Sequence, residues 1–197
     1  MDTVTEKQDN SNISRRKFIG NAAALSAFFI VPRHVLGGPG YLPPSDTITL
    51  GWIGAGRQGL NLQRYFLNTG GARIVGVSDV YKAKTDNFIS TLNKFYTDKG
   101  QTADTKGCLA YNNFMDMLQR KDIDAVVVAA PDHWHAAITV RAAAAGKDIY
   151  SEKPLSLTVK EGRAMVNAVR KHRRVFQTGS MQRSAPEFRQ AVELIRN

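Results

Sequence analysis

Cysteine is nearly absent from this chain of 197 residues. Cys108 stands alone, so no intrachain disulfide can form and no metal site can be built on cysteines. Long hydrophobic runs are missing too. The run from Phe18 to Val31 is fourteen residues, interrupted by Gly20, Asn21 and Ser26, and falls short of the ~18 of a confident membrane span. There are no internal repeats and no low-complexity tracts, so repeat architectures are set aside. Acidic residues are scarce: 17 Asp and Glu against 27 Lys and Arg leave a net charge of +10. Residues 1–40 hold five basic and three acidic side chains, so 22 basic and 14 acidic remain for the rest, a spread-out +8. The densest cluster, Arg170-Lys171-His172-Arg173-Arg174, falls at the expected C-terminus of a helix, where cations are favourable. No nucleic-acid motif accompanies it, so it reads as a solvated helix end and nucleic acid is not an expected partner.

What is present begins with an address. Ser14-Arg15-Arg16-Lys17-Phe18-Ile19-Gly20 opens the mild apolar run, giving a basic region followed by a short hydrophobic one, the layout of a signal peptide. The paired arginines resemble the bacterial twin-arginine export signal, with Ile19 and Gly20 in place of its last two positions. Residues 1–40 are therefore expected to be a signal and linker that engage the twin-arginine export machinery and direct the protein to the periplasm. Val35-Leu36-Gly37-Gly38 is a poor cleavage site. If the signal is not cleaved, it serves as a tether to the inner membrane. Gly37-Gly38-Pro39-Gly40 and Pro43-Pro44 read as linker.

The remaining 157 residues suffice for one well-buried domain, assigned to 41–180. Ile48 to Ile53 reads as a buried strand running into Gly54-Ala55-Gly56-Arg57-Gln58-Gly59, the G-x-G-x-x-G spacing, and then into a helix. The first glycine permits the tight turn and the second lets backbone approach a pyrophosphate. The third lets the helix pack closely on the strand. Phosphates then sit at a helix start, where free N–H groups and the macrodipole favour negative charge. The next strand, 73–78, ends at Asp79, placed to accept hydrogen bonds from ribose hydroxyls and to repel a 2′-phosphate. The expected cofactor is NAD, with NADP less favoured, although Lys82 and Lys84 lie close enough to soften that preference. The competing reading of Asp79 is a helix cap.

Strands and helices alternate thereafter: helix 57–68, helix 82–96, a short strand near 108–111, helix 113–119, strand 124–130, helix 135–145, strand 147–151, helix 158–171 and strand 174–178. Thr158-Val159-Lys160-Glu161 fits a capping box. This alternation predicts an α/β fold, a Rossmann-type doubly wound parallel sheet with ligands at the carboxyl ends of its strands.

Three motifs fall at such ends: Pro131-Asp132-His133-Trp134-His135, Glu152-Lys153-Pro154, and Gly179 through Pro186. With the glycine turn they resemble the Gfo/Idh/MocA oxidoreductase family over about residues 46–190. In that family the fourth strand leads to P-N-x-x-H and the fifth to E-K-P; here Asp132 replaces the Asn. The resemblance implies that Pro131, His135, Glu152 and Lys153 join Gly54, Ala55, Gly56, Arg57, Gln58, Gly59 and Asp79 around the cofactor. It also implies that Lys153, partly desolvated beside the nicotinamide, relays the proton of a carbohydrate hydroxyl. Arg183 falls where the family places an arginine between the dinucleotide and substrate domains. His135, about one turn into a helix capped by Asp132, is expected to be a neutral supporting group near the cofactor. Trp134 either lines the nicotinamide pocket or covers the sheet edge. His133 and His135 do not make a metal pair, because i,i+2 side chains on a helix do not face each other.

Family members are about twice this length. Residues 181–197 are therefore expected to begin a truncated substrate domain, with Phe188, Ala191, Val192 and Ile195 forming an apolar stripe in need of cover. The chain by itself is expected to bind NAD weakly and turn over nothing. A homo-oligomer is admitted for the full-length protein. Three functions stay open: an exported sugar or polyol oxidoreductase, a glycosidase that uses NAD transiently by oxidation and elimination, and a non-catalytic dinucleotide-binding subunit.

Overall fold

Six strands lie side by side, all parallel, in the order β3-β2-β1-β4-β5-β6. They are β1 Ile48–Ile53, β2 Ala72–Ser78, β3 Leu109–Tyr111, β4 Ala125–Val128, β5 Asp148–Ser151 and β6 Phe176–Thr178. The helices between them are α1 Arg57–Asn68, α2 Lys82–Asp98, α3 Phe114–Leu118, α4 Asp132–Ala144 and α5 Val159–Lys171, with α6 Pro186–Arg196 after β6. A computed structural model describes residues 43–99, 107–183 and 185–196. The twin-arginine segment, the glycine-rich linker and Ser184 lie outside the described residues. Among those described, no helix is long and apolar enough to cross a membrane.

The strand order reverses between β1 and β4, the switch point where a doubly wound sheet opens a crevice. Alternate side chains of each strand feed opposite faces. Leu50, Trp52, Val77 and Val127 meet Leu62 and Leu67 of α1 and Phe88 and Leu92 of α2. Ile53, Val75, Val126, Val128 and Ile149 meet α3 and α4 on the other face. Trp52 is fully buried, edge-on to Phe66 at 5.7 Å between ring centroids and 5.4 Å from Phe88. Burial of a side chain the size of Phe88 is worth about 3 kcal/mol, so this aromatic cluster anchors α1 and α2 to the sheet.

The amino ends of the strands are tied by polar contacts. The Thr49 N–H and hydroxyl both donate to Asp124 Oδ2, at 2.8 and 2.6 Å, pinning β1 to the start of β4. Lys147, buried, donates to the carbonyls of Arg120 and Ile123 at 2.5 and 2.9 Å, and desolvation lowers its pKa. With one end locked, the opposite end is free to carry a site.

Among the boundaries that differ from the sequence reading, two border the site. β4 stops at Val128 because the chain must turn where Gly54 presses against the Ala129 carbonyl. α4 begins at Asp132 with Pro131 as its cap, so Asp132 is a first-turn residue and does not cap the helix. The phi preset of a proline suits a helix entrance. The capping box of α5 is present, with Glu161 accepting from the Thr158 N–H and the Thr158 hydroxyl accepting from the Glu161 N–H.

Candidate active site

The three glycines of the first turn occupy three different environments. Gly54 has φ +97°, and a Cβ there would lie 2.5 Å from the Ala129 carbonyl oxygen. A Cβ on Gly59 would lie 2.2 Å from the Gly54 carbonyl oxygen, so α1 approaches the turn as closely as backbone allows. Gly56 is the opposite case: a Cβ would meet nothing within 4 Å. Two glycines are thus needed by the protein's own packing, and the middle one borders open space. Gly56 caps α1 without a side-chain bond, and no acidic residue occupies the first turn. Arg57 is exposed there and Gln58 half-buried. Amide donors, a positive helix end and room beside them suit a diphosphate.

Asp79 closes this turn from the end of β2. Its Oδ2 accepts from the Ala55 N–H at 2.9 Å and its Oδ1 from the Tyr81 N–H at 3.0 Å. The carboxylate therefore fastens the glycine turn and the entrance to α2 at once, joining the cap-like reading to the ligand-facing one. Lys82 is paired with Asp86 at 2.6 Å, and the Lys84 ammonium stands 4.7 Å from the Tyr81 ring centroid. Both lysines thus have partners other than a phosphate beside Asp79.

A crevice of ≈ 340 Å³ opens beside this carboxylate. Gly54, Asp79, Asn113, Phe114, Pro131 and Trp134 are among its walls. The aromatic pair Phe114 and Trp134 meets edge to face at 6.4 Å. Trp134 therefore shares a wall with Asp79, on the side of the crevice reached by the ends of β2 and β3. Sequence reasoning missed Asn112, Asn113 and Phe114. The signal was there: an Asx cap, since Asn113 Oδ1 accepts from the Met115 N–H at 3.0 Å, directly after a short strand.

The ends of β5 and β6 carry the other candidates. Glu152 is buried, and the Tyr150 hydroxyl donates to its Oε1 at 3.4 Å. Burial, reinforced by this carboxylate, pushes the Tyr150 pKa up. Gly179 makes room, since a Cβ there would lie 2.7 Å from Glu152 Oε1. The Lys153–Pro154 peptide bond is cis. Lys153 is exposed among the described residues. Arg183 is likewise exposed, and none of α6 is buried, leaving Phe188, Val192 and Ile195 open.

His135 is 1% exposed and lies beneath the surface of the crevice. Its Nε2 is 2.8 Å from the Ala130 carbonyl oxygen and its Nδ1 is 2.6 Å from that of Pro154. The ring therefore contacts the backbone of two loops, the one that follows β4 and the one that follows β5.

Residues 48–180 match the family GFO_IDH_MocA, described as an oxidoreductase family with an NAD-binding Rossmann fold. A glycosyl hydrolase family 109 protein of Shewanella pealeana is 28% identical over 155 residues, 77% of this chain and 33% of that protein. Among solved structures, myo-inositol 2-dehydrogenase from Lactobacillus plantarum superposes with TM-score 0.62 at 25% identity, covering 77% of this chain and 41% of that one. Scyllo-inositol dehydrogenase from Lactobacillus casei, with bound NAD(H) and scyllo-inositol, gives 0.60 at 27% identity, covering 76% and 41%. The chain spans about a third of the length of the curated relatives it matches.

Proposed function

This chain belongs to the Gfo/Idh/MocA oxidoreductase family, with its NAD-binding Rossmann fold, and from that premise we propose that the full-length protein is an NAD-dependent oxidoreductase of a sugar, polyol or sugar derivative. The observation that carries the proposal is the open space at Gly56 beside a carboxylate already fixed at the end of β2. Amides of the 54–59 turn hold the diphosphate, and Asp79 accepts from ribose hydroxyls while disfavouring a 2′-phosphate. Bound nicotinamide supplies an acceptor for the hydride leaving the substrate carbon. Lys153 Nζ, carried on the loop after β5, takes or shares the hydroxyl proton released in the same oxidation. Arg183 is assigned to a substrate oxygen. Titrating the purified chain with NADH and NADPH, followed by nicotinamide fluorescence, tests the reading. Tighter binding of NADH supports it, and binding of neither contradicts it.

A second reading is favoured by the likeness to proteins named glycosyl hydrolase family 109. In it the same turn and lysine serve a transient oxidation: one ring carbon is oxidised, its neighbour is acidified, the glycosidic bond eliminates and the steps reverse. Product release without net NADH would favour this chemistry; NADH accumulation would favour the first. A non-catalytic dinucleotide-binding subunit has no use for Lys153. We propose further that Arg15 and Arg16 direct export of the folded protein to the periplasm through the twin-arginine machinery. A reporter fused behind residues 1–40 should be exported, and Arg15→Lys with Arg16→Lys should retain it in the cytoplasm.

A further inference from the structure

We propose that His135 is the positioning residue for Lys153, a tether that fixes the lysine loop to the floor of the crevice. The loop between β5 and α5 needs one. Its Glu152 N–H is bound to the Val128 carbonyl at 2.9 Å, and its Leu157 N–H to Glu161 Oε2 at 3.0 Å. Between those points, among the described residues, the backbone's contact is with His135, whose Nδ1 lies 2.6 Å from the Pro154 carbonyl oxygen and donates to it when it carries the proton. Lys153 itself is exposed and makes no described bond. Its placement at the carboxyl end of β5 therefore depends on the peptide that follows it.

The other ring nitrogen explains why a histidine suits the task. Ala130, whose carbonyl faces Nε2, and Pro131 both line the crevice that Asp79 also lines. One buried, planar side chain thus spans two loops, at Ala130 and at Pro154, one bordering the crevice and the other bearing the lysine. A neutral ring donates to one of the two carbonyls; a doubly protonated ring donates to both. Either way the ring sits on α4, an element packed into the core through Ile138, Ala142 and Ala143. The tether is as rigid as the helix that carries it. This inference rests on the oxidoreductase reading for the role of Lys153, but the tether itself can be tested without cofactor.

The experiment compares wild type with His135→Leu and His135→Gln in the full chain. In the free protein, amide exchange at Glu152 and Leu157, the hydrogen-bonded amides that flank the loop, should rise about tenfold in His135→Leu, while Val126 to Val128 keep their protection. His135→Gln, which keeps a donor, should recover part of the difference. The second readout is the ¹³C signal of dimethylated Lys153, assigned through Lys153→Arg. Addition of NAD should move it in the wild type and move it less than half as far in His135→Leu, although NAD still binds. Unchanged exchange at Glu152 and Leu157, or an equal movement of the lysine signal, would overturn the proposal. If wild type fails to bind NAD, the functional reading falls and exchange alone decides the tether. Should His135→Leu not fold, the wild-type ring decides: a slowly exchanging imidazole N–H supports the tether, and a rapidly exchanging one refutes it.

Discussion

The ends of β1, β2 and β3 and the ends of β5 and β6 border the same sheet edge, yet they are finished to different degrees. On the first side each functional group is held by a neighbour: Asp79 by two backbone amides, Gly54 and Gly59 by close backbone approach, Phe114 by Trp134. On the second, Lys153 and Arg183 stand exposed, and α6 presents Phe188, Val192 and Ile195 without cover. Recognition of a dinucleotide's adenosine and diphosphate needs only groups that one domain can preorganise. Proton transfer to a substrate needs a lysine held against a second surface, and here it has a single backbone tether.

The sharpest way to break this comparison is at Gly59. Ala there must displace the Gly54 carbonyl, and overpacking of this kind should cost about 3 kcal/mol, read as a lower urea midpoint. A stable Gly59→Ala variant would show that the turn is less closed than its geometry implies. Asp79→Ala should come next. It removes two charge-assisted bonds, costing roughly 2 kcal/mol, and should narrow the preference for NADH over NADPH about tenfold in paired titrations. Gly56→Ala separates recognition from folding. With nothing within 4 Å, stability should change by less than about 1 kcal/mol while NADH affinity falls at least about tenfold.

The smallest effect concerns Cys108, buried within the core face that packs under α1 and α2. Burial pushes its thiol up to about 12, with Arg120 opposing. Below the unfolded value of 9.0 the thiol is protonated in both states and adds no pH dependence. As pH rises past it the unfolded chain ionises first, so stability declines until the folded thiol ionises near 12. By about pH 9.5 the loss should be just under ~1 kcal/mol, absent in Cys108→Ala.

Legibility followed the range of the interactions. The glycine turn, Asp79 and the capping box of α5 are local, each written within a strand, a turn and a helix start, so sequence spacing was enough to locate them. The alternation of strands and helices gave the doubly wound sheet for the same reason. Asn113 and Phe114 went unnoticed because their place on the crevice wall depends on β3 pairing beside β2, a contact between distant segments. His135 was identified, but its contacts were not. Its contact at Pro154 lies across β5, and its burial is a tertiary property. The surroundings of Lys153 are not legible in the sequence, because desolvation depends on what covers a side chain, which spacing does not encode.

The central claim is that the 54–59 turn and Asp79 form a seat for an adenosine diphosphate bearing a free ribose 2′-hydroxyl. Calorimetric titration with ADP-ribose and with its 2′-phosphorylated form tests it without any contribution from nicotinamide, substrate or Lys153. The account predicts binding of ADP-ribose, at least about tenfold weaker binding of the 2′-phosphate, and loss of heat in Gly56→Ala. Equal affinity for the two ligands, or no heat from either with a folded chain, would contradict it.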